Sequence, residues 1–180
     1  MAYVLPENAS GTPNVGEYLG GRLGYSADPF NVAVSYATAQ GANGTVVNSK
    51  YEEISLAGSY KATSGVNLMA HAGINNSDVV GTRHAHWGLG ASIAIGSGYI
   101  PIGYNSVRQN NSANWGADQI ALGYVYNFSG RTAIYTTVSH ISNRNGANYT
   151  FLGGNNGGNP QLVAGGSDGT AFDLGVRHAF

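Results

Sequence analysis

Gln119 to Phe128 reads Gln-Ile-Ala-Leu-Gly-Tyr-Val-Tyr-Asn-Phe, and its alternation decides the fold. Successive side chains of a β-strand point to opposite faces, so only a strand gathers Ile120, Leu122, Tyr124, Tyr126 and Phe128 on one side. The other side receives Gln119, Ala121, Gly123, Val125 and Asn127, which are mostly small or polar. The same period recurs along the chain. Leu19, Leu23 and Tyr25 alternate with Gly20, Arg22 and Gly24, and Phe30, Val32, Val34 and Tyr36 with Asn31, Ala33 and Ser35. Ile54, Leu56 and Tyr60 alternate with Glu53, Ser55, Ser59 and Lys61. Further apolar faces are Leu68 to Ile74, Trp87 to Ile95, Ile100 to Tyr104 and, last, Phe172, Leu174, Val176, His178 and Phe180 against Asp173, Gly175, Arg177 and Ala179. Between Arg131 and Asn143 the facing is ambiguous, although Ile134, Tyr135, Thr136, Thr137 and Val138 favour a strand.

This gives about nine meander strands of roughly ten residues each, enough for a tilted strand to cross a hydrocarbon layer. Tight turns are expected at Asp28-Pro29, Thr63-Ser64-Gly65, Gly96-Ser97-Gly98 and Ser129-Gly130. Longer links are expected at Gln40 to Asn48, Asn75 to Arg83, Gln109 to Asn114 and Asn143 to Gly169. Short and long connections then alternate strictly, with all turns on one edge of the sheet and all loops on the other. Single-chain bacterial barrels have even strand numbers, so an odd count implies a missing part of the wall. Ala2 to Leu5 is too short to be a tenth spanning strand.

A soluble sandwich also alternates, but its solvent-facing side carries Lys, Glu, Asp and Arg. Here the non-apolar face is mostly Gly, Ala, Ser and Asn, and only 9 % of residues are charged, with 28 glycines and 12 tyrosines among 180 residues. The expected fold class is therefore all-β, an antiparallel transmembrane β-barrel wall turned inside out, with lipid against the apolar face and water against the small one. Tyr25, Phe30, Tyr60, Tyr99, Tyr126, Phe128 and Phe180 stand near the turn ends of their strands and are expected to form an aromatic girdle.

Eight basic residues are scattered singly against nine acidic ones, for a formal charge of -1, so no nucleic-acid partner is expected. There is no cysteine, hence no disulfide or thiolate site, and no apolar run long enough for a membrane helix. Met1 is not followed by a basic segment and an apolar core, so an exported precursor is expected to carry further sequence upstream.

Leu19 to Ala37 (LGGRLGYSADPFNVAVSYA), Ala121 to Ala147 (ALGYVYNFSGRTAIYTTVSHISNRNGA) and the ending Phe172 to Phe180 (FDLGVRHAF) resemble the C-terminal half of the beta-proteobacterial general porins. These are the sixteen-stranded trimeric barrels of the Gram-negative porin family. The resemblance covers essentially the whole chain, and Gly130 and Val138 are departures from the family's usual basic and aromatic residues. It implies an outer-membrane diffusion channel for small hydrophilic solutes and ions, a homotrimer in the full-length family, and contact with outer-membrane lipid and lipopolysaccharide. It also implies that residues 1–180 are a single barrel region without the N-terminal strands, the signal peptide and the constriction loop. The terminal Phe180, with Phe172, Leu174, Val176 and His178 at alternate positions before it, resembles the signal read by the β-barrel assembly machinery.

On the small-residue face, the candidate pore-lining residues are Arg22, Glu53, Lys61, Gln119, Asp173 and Arg177. The basic excess among them hints at anion preference in a complete barrel. His84 and His86 share a strand face and are possible metal ligands, but no third ligand stands beside them and Arg83 opposes a cation, so no metal or cofactor is expected. Glu52 and Glu53 are adjacent on a strand, face opposite ways and cannot flank one bond. With no nucleophile elbow and no phosphate loop, no enzymatic activity is expected. The Asn/Gly-rich stretch from Asn143 to Gly169 is expected to be a disordered surface loop. The competing reading is a structural or adhesive outer-membrane barrel with a plugged lumen, or a truncated porin without its own pore.

Overall fold

A computed structural model describes residues 1–5, 15–43, 46–78, 82–151 and 166–180. Among the described residues ten strands follow one another as an antiparallel meander: β1 (Ala2–Val4), β2 (Tyr18–Ala27), β3 (Phe30–Asn43), β4 (Val46–Thr63), β5 (Val66–Ser77), β6 (Thr82–Ile95), β7 (Gly98–Gln109), β8 (Gly116–Asn127), β9 (Thr132–Arg144) and β10 (Gly169–His178). The spanning strands number nine, as the alternation predicts. The tenth, β1, is only 3 residues long and pairs with β2 through Val4 and Tyr18.

Directly opposed residues in an antiparallel ladder share a face, so the register carries the apolar face from strand to strand. Tyr25 pairs with Val32, Val32 with Gly58, Gly58 with Ala70, Ala70 with Leu89, Leu89 with Tyr104 and Tyr104 with Ile120. That face is left open. Leu23 is 76 % exposed, Leu56 53 %, Ile120 53 % and Leu174 65 %, and no large side chain is fully buried among the described residues. The few buried apolar residues are small or lie under a loop: Ala117, Ala133, Ile141 and Ala147. A soluble sandwich of this size would enclose its Leu, Ile and Tyr side chains. Here they await a different solvent, which is the inversion expected of a membrane wall.

At the turn edge the ladder continues past each hairpin. Lys61 N–H donates to Pro29 O (3.0 Å), Ala94 to Gly65 O (2.7 Å), Asn127 to Ser97 O (3.1 Å) and Ala179 to Arg131 O (2.9 Å). Neighbouring hairpins thereby end flush. Gly96, at the first central position of the two-residue turn between Ile95 and Gly98, has φ +54, where a side chain is strained.

The opposite edge differs from expectation. Gln40 to Asn48 reads as a loop by polarity, yet β3 runs for 14 residues to Asn43 and β4 for 18 from Val46, paired out to Asn43 and Val46. At roughly 3.3 Å per residue such strands outreach a hydrocarbon layer about 25 Å tall. Beyond lipid a paired strand no longer needs apolar residues, so the polarity signal fails there. Likewise β5 continues to Ser77 and β6 starts at Thr82. Residues 44–45, 79–81 and 152–165 of the expected loops lie outside the described residues.

The base of the Asn143 to Gly169 segment is not disordered over its described part. Asn143 Nδ2 donates to Tyr149 O (2.9 Å) and Ser167 O (2.7 Å), its Oδ1 accepts from Tyr149 N–H (2.9 Å), and its own N–H donates to Asp168 Oδ1 (2.8 Å). One asparagine thus closes the mouth of the loop with four hydrogen bonds. Polar composition predicts solvation, but a single side chain with every donor and acceptor used supplies the order.

Candidate pore-lining face

The face opposite the apolar one is built by the intervening residues. Arg22 pairs with Ser35, Ser35 with Ser55, Ser55 with Gly73, Gly73 with His86 and His86 with Val107. The Ser35 and Ser55 hydroxyls are 2.7 Å apart and satisfy each other within the wall. A hollow of about 470 Å³ is lined from β2 through β7, by Arg22, Ser35, Ser55, His71 and Asn105 among others, so this face is concave.

All six candidate residues lie on it, to judge by register: Arg22 opposite Ser35, Glu53 opposite Ala37 and Asn75, Lys61 opposite Asn67, Gln119 opposite Asn105 and Ile141, Asp173 opposite Thr137, and Arg177 opposite Ala133. They share a face without converging on one ring. Arg22 borders the first hollow, Lys61 a second of about 790 Å³ near the turns, and Gln119 a third of about 380 Å³ towards the loop edge. Lys61 Nζ meets Asp28 Oδ1 at 2.9 Å, with both side chains largely exposed. Of the charged candidates, Arg22 and Arg177, like Glu53 and Asp173, have no ion-pair partner among the described residues. Gln119 Nε2 donates to Ser139 Oγ at 2.9 Å and is thereby held flat against β9.

Glycines on this face do more than leave room. His71 lies opposite Gly88, and a Cβ there would sit 2.5 Å from the His71 ring. His86 lies over Gly73 in the same way, at 2.6 Å, and Tyr135 lies over its partner Gly175. Each ring is folded along the wall because the strand beside it has no side chain at that point. The wall therefore stays thin even where it carries a ring.

His84 and His86 do share the concave face, but the ring beside His86 is that of His71, at 5.9 Å between centroids. No group of three potential metal ligands forms among the described residues. Glu52 and Glu53 point to opposite faces as expected, Glu52 outward against Lys50 Nζ (2.8 Å) and Tyr36 Oη (2.8 Å). His71 and Asn105 follow from the same alternation, since both lie opposite Gly88 on this face. Tyr149 was not legible. It reaches the third hollow from the loop clamped by Asn143, its hydroxyl buried without a partner and its pKa pushed up by burial.

On the apolar face the girdle is present, with Phe30 stacked on Tyr60 (4.9 Å) and Tyr126 edge-on to Phe128 (5.1 Å). Tyr99 is not part of it. Opposite Ala94 and Val125, it faces the concave side beside Lys61 and Asn67, because the Gly98 turn sets the parity of β7 one residue from where a count of aromatics near turns would put it.

This wall, apolar outside and small and polar within, can be compared with known proteins. A family described as Gram-negative porin matches residues 1–146. The chain belongs to the Gram-negative porin family. It is 28 % identical over 176 residues to the outer membrane porin protein 32 of Delftia acidovorans, covering 93 % of this chain and 47 % of that one. The anion-selective porin from Comamonas acidovorans superposes with a TM-score of 0.85 at 28 % identity, over 99 % of this chain and 54 % of that one. The outer-membrane protein OmpT of Vibrio cholerae matches with a TM-score of 0.69 at 14 % identity, over 90 % of this chain and 56 % of that one, a likeness of fold alone. The porin chain thus spans about half the length of the relatives it matches, in keeping with its resemblance to a C-terminal half. Its sheet is a wall of an antiparallel β-barrel, and its place is the bacterial outer membrane.

Proposed function

We propose that the complete protein is a passive outer-membrane channel for small hydrophilic solutes and ions, that it prefers anions, and that it is not an enzyme. One observation carries the reading: the sheet presents Leu, Ile and Tyr outward, and from β2 through β7 a hollow of Ser, Gly, Asn and the unpaired Arg22 inward. Arg22, Glu53, Lys61, Gln119, Asp173 and Arg177 are proposed to line the lumen, residues 1–180 being one region of a barrel closed by further strands. Pores select by the charge of their lining. With Lys61 held by Asp28, the unpaired Arg22 and Arg177 are matched by the unpaired Glu53 and Asp173, so the anion preference is supported by the superposition on a porin described as anion-selective.

Two partners follow as proposals. A homotrimer is supported by the trimer form recorded for the Vibrio cholerae OmpT. The β-barrel assembly machinery is proposed to read Phe172, Leu174, Val176, His178 and Phe180, which alternate outward along the last strand and the residues after it, Phe172, Leu174 and Val176 each about 70 % exposed.

The test is single-channel recording of the complete protein in planar bilayers across a salt gradient. Discrete conductance steps with an anion-selective reversal potential are expected. Insertion without steps would favour a plugged barrel and end the channel reading.

A further inference from the structure

The concave face carries two imidazoles to which conduction assigns no role. His71 on β5 lies opposite Gly88 and His86 on β6 opposite Gly73, so the two histidines are diagonal neighbours across one antiparallel ladder. Each ring leans over the glycine opposite it, a Cβ on Gly88 standing 2.5 Å from His71 Cε1 and one on Gly73 standing 2.6 Å from His86 Nε2. The two glycines therefore bring the rings together, with centroids 5.9 Å apart and planes tilted by 47°. Asn105 on β7 also stands opposite Gly88, and its Oδ1 closes on the same vacant position. Two imidazoles and a carboxamide oxygen thus border one hollow of about 380 Å³.

Their surroundings suit a transition-metal cation. Among the described residues, hydrogen bonds of 2.8 Å tie His140 to Thr170 and His178 to Thr132, whereas none ties the His71 or His86 ring to a side chain. An ion about 2.0 Å from an imidazole nitrogen lies about 3.2 Å from the ring centroid, so two rings on one ion have centroids about 5.2 Å apart at the tetrahedral angle and about 6.4 Å apart at most. The observed 5.9 Å falls inside that range. Small turns of the side chains close the site, with no movement of either strand. The charges nearby do not oppose a cation. Glu53, opposite Asn75 and two residues along the ladder from Gly73, keeps an unpaired carboxylate on this face among the described residues. Arg83 pairs with Asn76 and is turned to the outward face, away from the rings. Arg22 stands three strands from Gly73 on the same row, about 14 Å away and past the screening length of about 8 Å at physiological salt.

We propose that His71 and His86, with the Asn105 carboxamide oxygen, bind one divalent transition-metal ion on the concave face, copper more tightly than nickel or zinc, with water completing its coordination. Bound there, the ion adds positive charge beside the path that the channel offers to solutes. The binding itself rests on the register of β5 to β7, and not on conduction. The complete protein, free of any added histidine tag and refolded in detergent, is titrated calorimetrically with copper(II), nickel(II) and magnesium, and its copper form is read by electron paramagnetic resonance. One copper per protomer is expected, split by two imidazole nitrogens, with magnesium at least about a hundredfold weaker. His71→Gln and His86→Gln should each weaken copper binding at least about tenfold and reduce the pattern to one nitrogen. Asn105→Leu should cost less and keep both nitrogens. His84→Gln should bind copper as the parent does, since His84 stands opposite Asn75 and farther from His71. Heat-modifiable migration identifies folded barrel in every sample. An unchanged copper signal in folded His71→Gln/His86→Gln would overturn the proposal. So would a loss in His84→Gln as large as that in His86→Gln, which would move the ion to those two residues of β6, or equal binding of magnesium, which would mark a carboxylate site. Single-channel recording with and without copper reads the pore separately, so a silent barrel that keeps the two-nitrogen signal refutes only the channel.

Discussion

Leu122 and Ala121 are neighbours on β8 and belong to two different solvents. Leu122 lies opposite Ile102 and Val138 on the outward face and is 48 % exposed, while Ala121 lies opposite Gly103 and Ser139 on the concave face. In a water-soluble protein the larger apolar residue would be the hidden one. On the proposed function, this sheet spends its large apolar surface on lipid contact and keeps its small and polar side chains for a water-filled hollow. Stability then comes from the hydrogen-bonded ladder and the surrounding bilayer, and hardly from an enclosed core.

The largest effect that can break this comparison comes from placing a charge on each face. Leu122→Arg should cost about 2–4 kcal/mol near the bilayer midplane, whereas Ala121→Arg should leave the urea unfolding midpoint in liposomes nearly unchanged. Equal losses would mean that the faces are equivalent. Next comes selectivity: Arg22→Glu/Arg177→Glu should move the reversal potential of the complete protein towards cations, and Arg131→Glu, outside the strands, should move it far less. A smaller effect is expected from Gly88→Leu, which must lift the His71 ring off the wall and into the lumen, lowering conductance without changing the sign of selectivity. Smallest is Asp28→Asn. Its ion pair with Lys61 is exposed on both sides, so thermal stability should not change measurably, while the released Lys61 charge should nudge selectivity further towards anions.

How much of this was written in the sequence differs between β8 and β9. In β8 the outward residues are large and the inward ones small, so parity is visible at once. In β9 Ile134, Tyr135, Thr136, Thr137 and Val138 offer bulk to both sides. Pairing settles it: Val138 stands between Leu122 and Phe172 and faces outward, and Tyr135 faces inward. An inward tyrosine is tolerable only because Gly175, forty residues later in the chain, leaves its ring a place to lie. Such information sits in a neighbouring strand, beyond the reach of a reading along one segment. The six candidate lining residues were legible for the same reason as β8, since alternation assigns a face. What alternation cannot give is position along the wall, which is why Arg22, Lys61 and Gln119 border three different hollows and Glu53, Asp173 and Arg177 border none of them. The Asn143 clamp and the meeting of His71 with His86 were hidden too, the first in a polar loop and the second in residues of different strands that meet only through register.

The absence of native cysteine allows a direct test of which solvent each face meets. Single cysteines are introduced into the complete protein by Leu122→Cys on the outward face and Ala121→Cys on the concave face, and the reconstituted protein is treated with a small, hydrophilic, membrane-impermeant thiol reagent. The account predicts rapid labelling at 121 and protection at 122. Labelling at 122 with protection at 121 would contradict it.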